Sequence, residues 1–151
     1  MNPFASLGLG SEIVSALTEQ GYETPTPIQA APIPIAFAGL NFLASAHPCT
    51  GKTAAFALPI LNKLLADPQP APKKGCRVLV LSPTRELATQ IANSFRALSS
   101  GCGLHVATVF GGVSYSGQIR ALSRGVDVLV ATAGRLVDHL DTGAADLKGV
   151  E

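Results

Sequence analysis

Three apolar runs constrain this chain more than any other feature: Cys76–Ser82, Leu104–Phe110 and Val126–Thr132. Each is rich in Val and Leu and nearly continuous rather than alternating. That is the pattern of strands buried on both faces, as in a parallel sheet. A fourth run, Asn41–Ala46, reads as a further buried strand. Parallel strands need crossovers, and helical patterns fill the gaps. Ser11 stands at a cap position for Glu12–Gln20, with Ile13, Val14 and Leu17 on one stripe. Thr26-Pro27 reads as an N-cap followed by proline at the first helical position, and Pro32 bends the segment beyond it. Lys52–Leu65 is apolar enough for a central helix. Glu86–Leu98 places Leu87, Ile91, Phe95 and Leu98 on one face, and Gly134–Leu140 opens a short helix. The alternation predicts an α/β fold, a parallel sheet with helices on both faces joined by right-handed crossovers. Ligands of such sheets bind at the carboxyl ends of the strands.

The 151 residues suffice for one domain with a real core. No apolar run approaches the length of a membrane span, and the N-terminus lacks a secretory pattern, so a cytoplasmic protein is expected. The three cysteines match neither a disulfide framework nor a zinc site; Cys76 and Cys102 read as buried or half-buried fillers. The net charge of +1 gives no strong electrostatic case for nucleic acid. Asp67–Lys74, with prolines at 68, 70 and 72, reads as an extended surface spacer.

The chemistry-bearing segments fall where the strand patterns stop. Ala46-His47-Pro48-Cys49-Thr50-Gly51-Lys52-Thr53 follows a strand pattern and opens a helix, the context of a phosphate-binding loop. Backbone N–H groups at a helix N-terminus hold phosphate oxygens, Lys52 reaches the outer phosphates and Thr53 ligates Mg²⁺. A bare Gly-Lys-Thr is a weak signal by itself. Pro83-Thr84-Arg85-Glu86-Leu87-Ala88, Gly111-Gly112 and Thr132-Ala133-Gly134-Arg135-Leu136 each begin at a strand end. Threonine hydroxyls and loop N–H groups can bond phosphates, and Arg85 and Arg135 supply charge. Taken singly, Arg85 beside Glu86 also fits a surface ion pair, and a Gly-Gly pair fits a plain turn. Gly21-Tyr22-Glu23-Thr24-Pro25-Thr26-Pro27-Ile28-Gln29 offers an amide, Gln29, able to pair with both adenine N6 and N7. It also fits an ordinary helix start.

In order and near spacing, these segments resemble the first RecA-like domain of bacterial-type DEAD-box RNA helicases, over Phe4 to the last residue. The resemblance implies a Q motif in region 1–30 and a RecA-like P-loop NTPase domain over 31–151, incomplete at its C-terminal side. It implies ATP or ADP with Mg²⁺ bound through Phe4, Tyr22, Gln29, Ala46, His47, Pro48, Cys49, Thr50, Gly51, Lys52 and Thr53, with Phe4 stacking on the base and Tyr22 supplying a second face. It implies RNA held by its backbone, without sequence reading, through Pro83, Thr84, Arg85, Gly111, Gly112, Thr132, Gly134 and Arg135 (motifs Ia, GG and Ib). The partners it implies are RNA and a second RecA-like domain, for a monomer.

Two departures carry consequences. The family's loop resembles Ala-x-Thr-Gly-x-Gly-Lys-Thr, whereas this chain has His47, Pro48 and Cys49. A side chain at position 49 brings a Cβ against the phosphates or strains the turn by about 1–3 kcal/mol, and Pro48 removes one N–H. Weakened nucleotide binding is therefore expected. A thiol at a helix N-terminus beside lysine also gains reactivity, so a redox-gated loop is a second reading of Cys49. The family's Asp-Glu-Ala-Asp, which holds Mg²⁺ and positions the attacking water, does not occur in the 151 residues. The expectation is a helicase fragment that does not hydrolyse ATP alone. The alternative is a non-catalytic RNA- or nucleotide-binding module with a degenerate P-loop. A small phosphotransferase would need a lid and acidic metal ligands, for which the sequence offers no candidate.

Overall fold

The computed structural model describes residues 2–47 and 51–151. Two compact units emerge: residues up to Pro68 together with Ala97–Gly103, and residues Gln69–Arg96 together with Leu104–Glu151.

In the first unit, a 3₁₀ turn at Pro3–Leu7 leads into α1 (Ser11–Glu19), α2 (Pro27–Ala30), α3 (Pro32–Phe37) and α4 (Lys52–Ala66). Asn2 caps the opening turn: its Oδ1 accepts from Phe4 N–H at 3.0 Å. Its Nδ2 donates to Thr18 Oγ1 and the Tyr22 carbonyl, each at 3.2 Å, which ties the start of the chain to α1. The N-cap of α1 is Gly10 rather than Ser11, whose hydroxyl donates to Glu12 at 3.1 Å. Ile13, Ala16 and Leu17 form its buried stripe; Val14 is only half-buried. Proline at position 32 divides what would be one helix into α2 and α3, as expected of a residue without an N–H. Pro59 is accommodated inside α4, which buries Ala54, Ala55, Ala57, Leu58, Leu61 and Leu64.

The expected strand at Asn41–Ala46 is not formed. Residues 40–47 have no regular structure; Leu43 is fully exposed and Leu40 is 63% exposed. The composition suits a strand, but a strand exists only through a ladder to a neighbour. Among the described residues, no ladder reaches this segment.

The second unit carries β1 (Cys76–Leu81), β2 (Val106–Val109) and β3 (Val126–Ala131) in a parallel sheet of order β1-β3-β2. Leu79, Leu129 and Ala107 share one register row, and Leu81, Ala131 and Val109 another. Every residue of the central strand β3 is buried, so both faces of the sheet are covered. This places the chain in the α/β class. On one face Leu129, Ala131 and Val109 pack with Leu122 of α6 (Tyr115–Ser123) and Leu136 of α7 (Ala133–Asp141). The fold contains α6, which the sequence pattern did not announce.

Helix α5 (Arg85–Leu98) buries Ala88, Ile91, Ala92, Phe95 and Leu98, whereas Leu87 is 38% exposed. The apolar stripe therefore runs through the alanines rather than Leu87. Cys76 is fully buried, and burial pushes its thiol up to about 11; Cys102 is half-buried and raised in the same direction by burial and Glu12.

The proline spacer is anchored. Pro72 lies against Gly75, Gly125 and Gly149, where an added Cβ would fall 3.2, 2.4 and 2.5 Å from its atoms. At the start of β1, Arg77 is buried and its Nε donates to Glu151 Oε1 at 2.6 Å.

Candidate nucleotide and nucleic-acid sites

The residues expected to meet nucleotide lie in the first unit. Gln29 is only 2% exposed and its amide is engaged at both ends. Its Oε1 accepts from Thr26 N–H at 3.0 Å, as the helix-start pattern requires, and its Nε2 donates to the Gly51 carbonyl at 3.3 Å. Gly51 takes the left-handed conformation, φ 79°, at the N-cap of α4. A Cβ there would sit 2.2 Å from Gln29 Nε2, so glycine is what lets the two segments meet. Lys52 turns its ammonium back to donate to the Ala46 carbonyl at 2.7 Å. Thr53 follows in the first turn of α4, and His47 is exposed. Pro48, Cys49 and Thr50 lie outside the described residues.

Phe4, expected to stack on the base, is turned inward. Its ring is fully buried and meets Tyr22 edge-on, centroids 6.2 Å apart, so in this structure it offers no face to a base. The turn capped by Asn2 folds it inward. Tyr22 is half-buried.

The residues expected to meet RNA lie in the second unit, on one edge. The three strands are parallel, so the turns that follow them share the carboxyl end of the sheet. Adjacent turns are bonded to neighbouring strands: Ser82 N–H to the Ala131 carbonyl and Thr132 N–H to the Val109 carbonyl, each at 2.9 Å. Thr84 caps α5, its Oγ1 accepting from Leu87 N–H at 3.2 Å. The side chain of Arg85 is half exposed and lies over Gly112, φ 79°, where a Cβ would be 2.5 Å from its Nη1. Its Nε is 3.8 Å from Glu86, a loose surface pair. Thr132 is the N-cap of α7, with Gly134 exposed in the first turn. Arg135 donates to the Val113 carbonyl at 3.2 Å and lies 5.4 Å from the centre of the Tyr115 ring. Pro83 and Gly111 are exposed in the same turns.

Three residues of this edge escaped the sequence reading: Tyr115, Gln118 and His139. Tyr115 stacks on His139 with centroids 4.3 Å apart, and Gln118 bridges the Phe110 carbonyl (2.8 Å) to His139 Nε2 (2.9 Å). The available signal was the four-residue spacing of Gln118 and Leu122 behind Ser114, one buried stripe of a short helix.

A parallel α/β sheet whose strand-end turns carry residues of this kind is that of a RecA-like helicase domain. The sequence model of the DEAD/DEAH box helicase family matches residues 26–151, and the chain belongs to that family. It is 46% identical over 145 residues to the ATP-dependent RNA helicase DeaD of Klebsiella pneumoniae, an alignment covering 95% of this chain and 22% of that protein. It is 43% identical over 148 residues to its namesake in Buchnera aphidicola subsp. Schizaphis graminum, covering 97% and 24%. The chain thus spans about a quarter of the length of these relatives. Among solved structures it resembles the RNA-helicase Prp28 from Chaetomium thermophilum bound to ADP, with TM-score 0.89 and 35% identity over 99% of this chain and 37% of that one. It also resembles a hypothetical ATP-dependent RNA helicase from Sulfolobus tokodaii, with TM-score 0.81 and 37% identity over 95% and 40%. Among the described residues no helix is long and apolar enough to cross a membrane.

Proposed function

We propose that this chain supplies the nucleotide-binding and part of the RNA-backbone-binding surface of an ATP-dependent RNA helicase. Region 1–30 acts as the Q motif, and 31–151 as the N-terminal ATP-binding domain. The observation that carries this reading is the convergence of Thr84, Arg85, Gly112, Thr132 and Arg135 on one sheet edge, with Arg85 over Gly112 and Arg135 on the Val113 carbonyl. Small turns, capped helix starts and two guanidinium groups suit phosphate oxygens. Sequence-independent binding of RNA follows, in keeping with RNA helicases among its relatives.

For nucleotide, Gln29 braces Gly51 and Lys52 is held on Ala46. A nucleotide would exchange these internal bonds for its own: Lys52 leaves the carbonyl for phosphate, and the Gln29 amide turns to adenine. Thr53 would hold the Mg²⁺ that accompanies the nucleotide. An ADP-bound relative of the same fold supports this assignment. Pro48 and Cys49 weaken the site relative to Thr and Gly, and the 151 residues alone bind without hydrolysing. A cytoplasmic monomer, paired in function with a second RecA-like domain, completes the reading.

The test is titration with a fluorescent ADP analogue and Mg²⁺, beside the double change Pro48→Thr, Cys49→Gly. The expected outcome is binding at least tenfold tighter in the changed protein, equivalent to about 1.4 kcal/mol. Equal micromolar binding in both would show that Cys49 is tolerated. Binding in neither, with a folded circular dichroism spectrum, would favour a purely RNA-binding module.

A further inference from the structure

A half-buried tyrosine, a buried glutamine and a buried histidine stand behind the RNA-facing edge, none of them assigned a part in binding. Helix α7 presents Arg135 and His139 one turn apart, and the Tyr115 ring of α6 meets both. The Tyr115 hydroxyl reaches the Asp138 carbonyl at 3.3 Å and Thr142 Oγ1 at 2.9 Å, locking the ring to the end of α7. Gln118 donates from Nε2 to the Phe110 carbonyl, just before the Gly111-Gly112 pair. That orientation leaves Oε1 to accept, so His139 carries its proton on Nε2. His139 Nδ1 is then a bare lone pair, buried without a partner.

We infer that Tyr115 and His139 are positioning residues for the RNA-binding edge. Neutral His139 holds the ring that holds Arg135, while Gln118 ties the same cluster to the Gly111-Gly112 turn. This inference rests on the reading that the edge binds RNA.

The chemistry gives it a direction in pH. A proton on Nδ1 would be a buried donor with no acceptor, beside the Arg135 cation. Burial and then Arg135 hold the imidazole below its ordinary range, with Asp138 opposing. Arg135 and Asp138 are the charges of α7 that act on it; α6 contributes Tyr115 and uncharged Gln118, and the preceding turn a carbonyl. The folded form binds its proton less readily than the unfolded one. The intact cluster is therefore fully populated above the ordinary histidine pKa of about 6.5 and is lost as pH falls below it. Solvent-exposed histidines would act oppositely, gaining charge and tightening phosphate contacts. Acid weakening of RNA binding is thus a signature that general electrostatics does not produce.

The experiment follows the ¹⁵N resonances of the His139 imidazole and Arg135 Nε in the whole 151-residue chain from pH 7.5 to 5.0, without RNA. Binding of a fluorescein-labelled 12-nucleotide oligouridine is measured in parallel at constant ionic strength. The expected result has three parts. His139 shows the Nε2–H tautomer, Arg135 Nε shifts with the same midpoint, and affinity falls at least threefold over that range. Tyr115→Leu weakens binding at least fivefold at pH 7.5 with Arg135 still present, and Tyr115→Phe, which keeps the ring, binds within threefold of the parent. The inference is overturned if His139 titrates without moving Arg135, or if Tyr115→Leu folds and binds as the parent does. Arg135→Ala separates the two levels. If it leaves oligouridine binding unchanged, the RNA reading of this edge fails, while the resonances still report whether the cluster positions Arg135.

Discussion

Two glycines with almost the same backbone conformation face different obstacles. Gly112 and Gly125 have φ 79° and 80°. A Cβ at 112 would meet the flexible end of Arg85, but at 125 it would meet the backbone carbonyl of Pro72 at 2.4 Å. Gly112→Ala should therefore cost only the left-handed conformation, about 1–2 kcal/mol, and displace Arg85. Gly125→Ala should cost about 3 kcal/mol, because a backbone segment must move as well. Chemical denaturation of both variants checks the order; equal losses would contradict it. Arg77 makes a second prediction. Its guanidinium is 2% exposed and Glu151 supplies a two-point partner, Nε–Oε1 at 2.6 Å and Nη2–Oε2 at 3.3 Å. Removing the carboxylate with Glu151→Ala takes two charge-assisted hydrogen bonds from a buried cation. The carboxylate is partly exposed, so the loss belongs at the low end for broken buried pairs, about 3 kcal/mol. A melting temperature unchanged in Glu151→Ala would show that water replaces the carboxylate at no cost.

At the level of elements, β1 offers a clean probe. Cys76 is buried and its thiol is held up to about 11, so at pH 8 almost no thiolate is present. Alkylation at pH 8 should modify Cys102 well before Cys76, with Cys76 reacting only as fast as β1 opens. Modification of Cys76 in step with Cys102 would mean that β1 frays. The strands that were legible in the sequence share a physical reason. Runs such as Val126–Ala131 are apolar on both faces because both faces are covered. Asn41–Ala46 has the same look, but strand formation depends on a partner elsewhere in the chain, which local composition does not encode. Helix α6 was missed for the opposite reason. Its Ser, Gly and Gln residues show little apolar stripe, and its buried face contains a glutamine whose value lies in a carbonyl eight residues back. The positions of the turns after the strands were readable because turn chemistry is local. The burial of Phe4 was not, since it depends on how Asn2 closes onto Thr18 and Tyr22.

For the whole molecule, the sequence motifs divide between the two units. Gln29, Gly51 and Lys52 are in one; Thr84, Arg85, Gly112 and Arg135 are in the other. Hydrogen exchange should resolve the two proposed roles separately. ADP with Mg²⁺ should slow exchange in peptides spanning Tyr22–Ala30 and Gly51–Ala57. Oligouridine should slow it at Thr84–Ala88 and Phe110–Ser116. Protection by ADP confined to the second set would reverse the assignment.

The seat of Pro72 bears on how this gene can be altered. A proline-punctuated stretch between a helix and a strand looks like the natural place to splice in a tag, a protease site or a fluorophore-bearing cassette. The exposed half, Asp67–Pro70, meets the requirement that added residues can leave the surface freely. At Pro72 the chain is a plug fitted among Gly75, Gly125 and Gly149, which adjoin the starts of two strands and the last residues of the chain. Cargo placed there would unseat the plug, whereas the same cargo a few residues earlier would ride outside it.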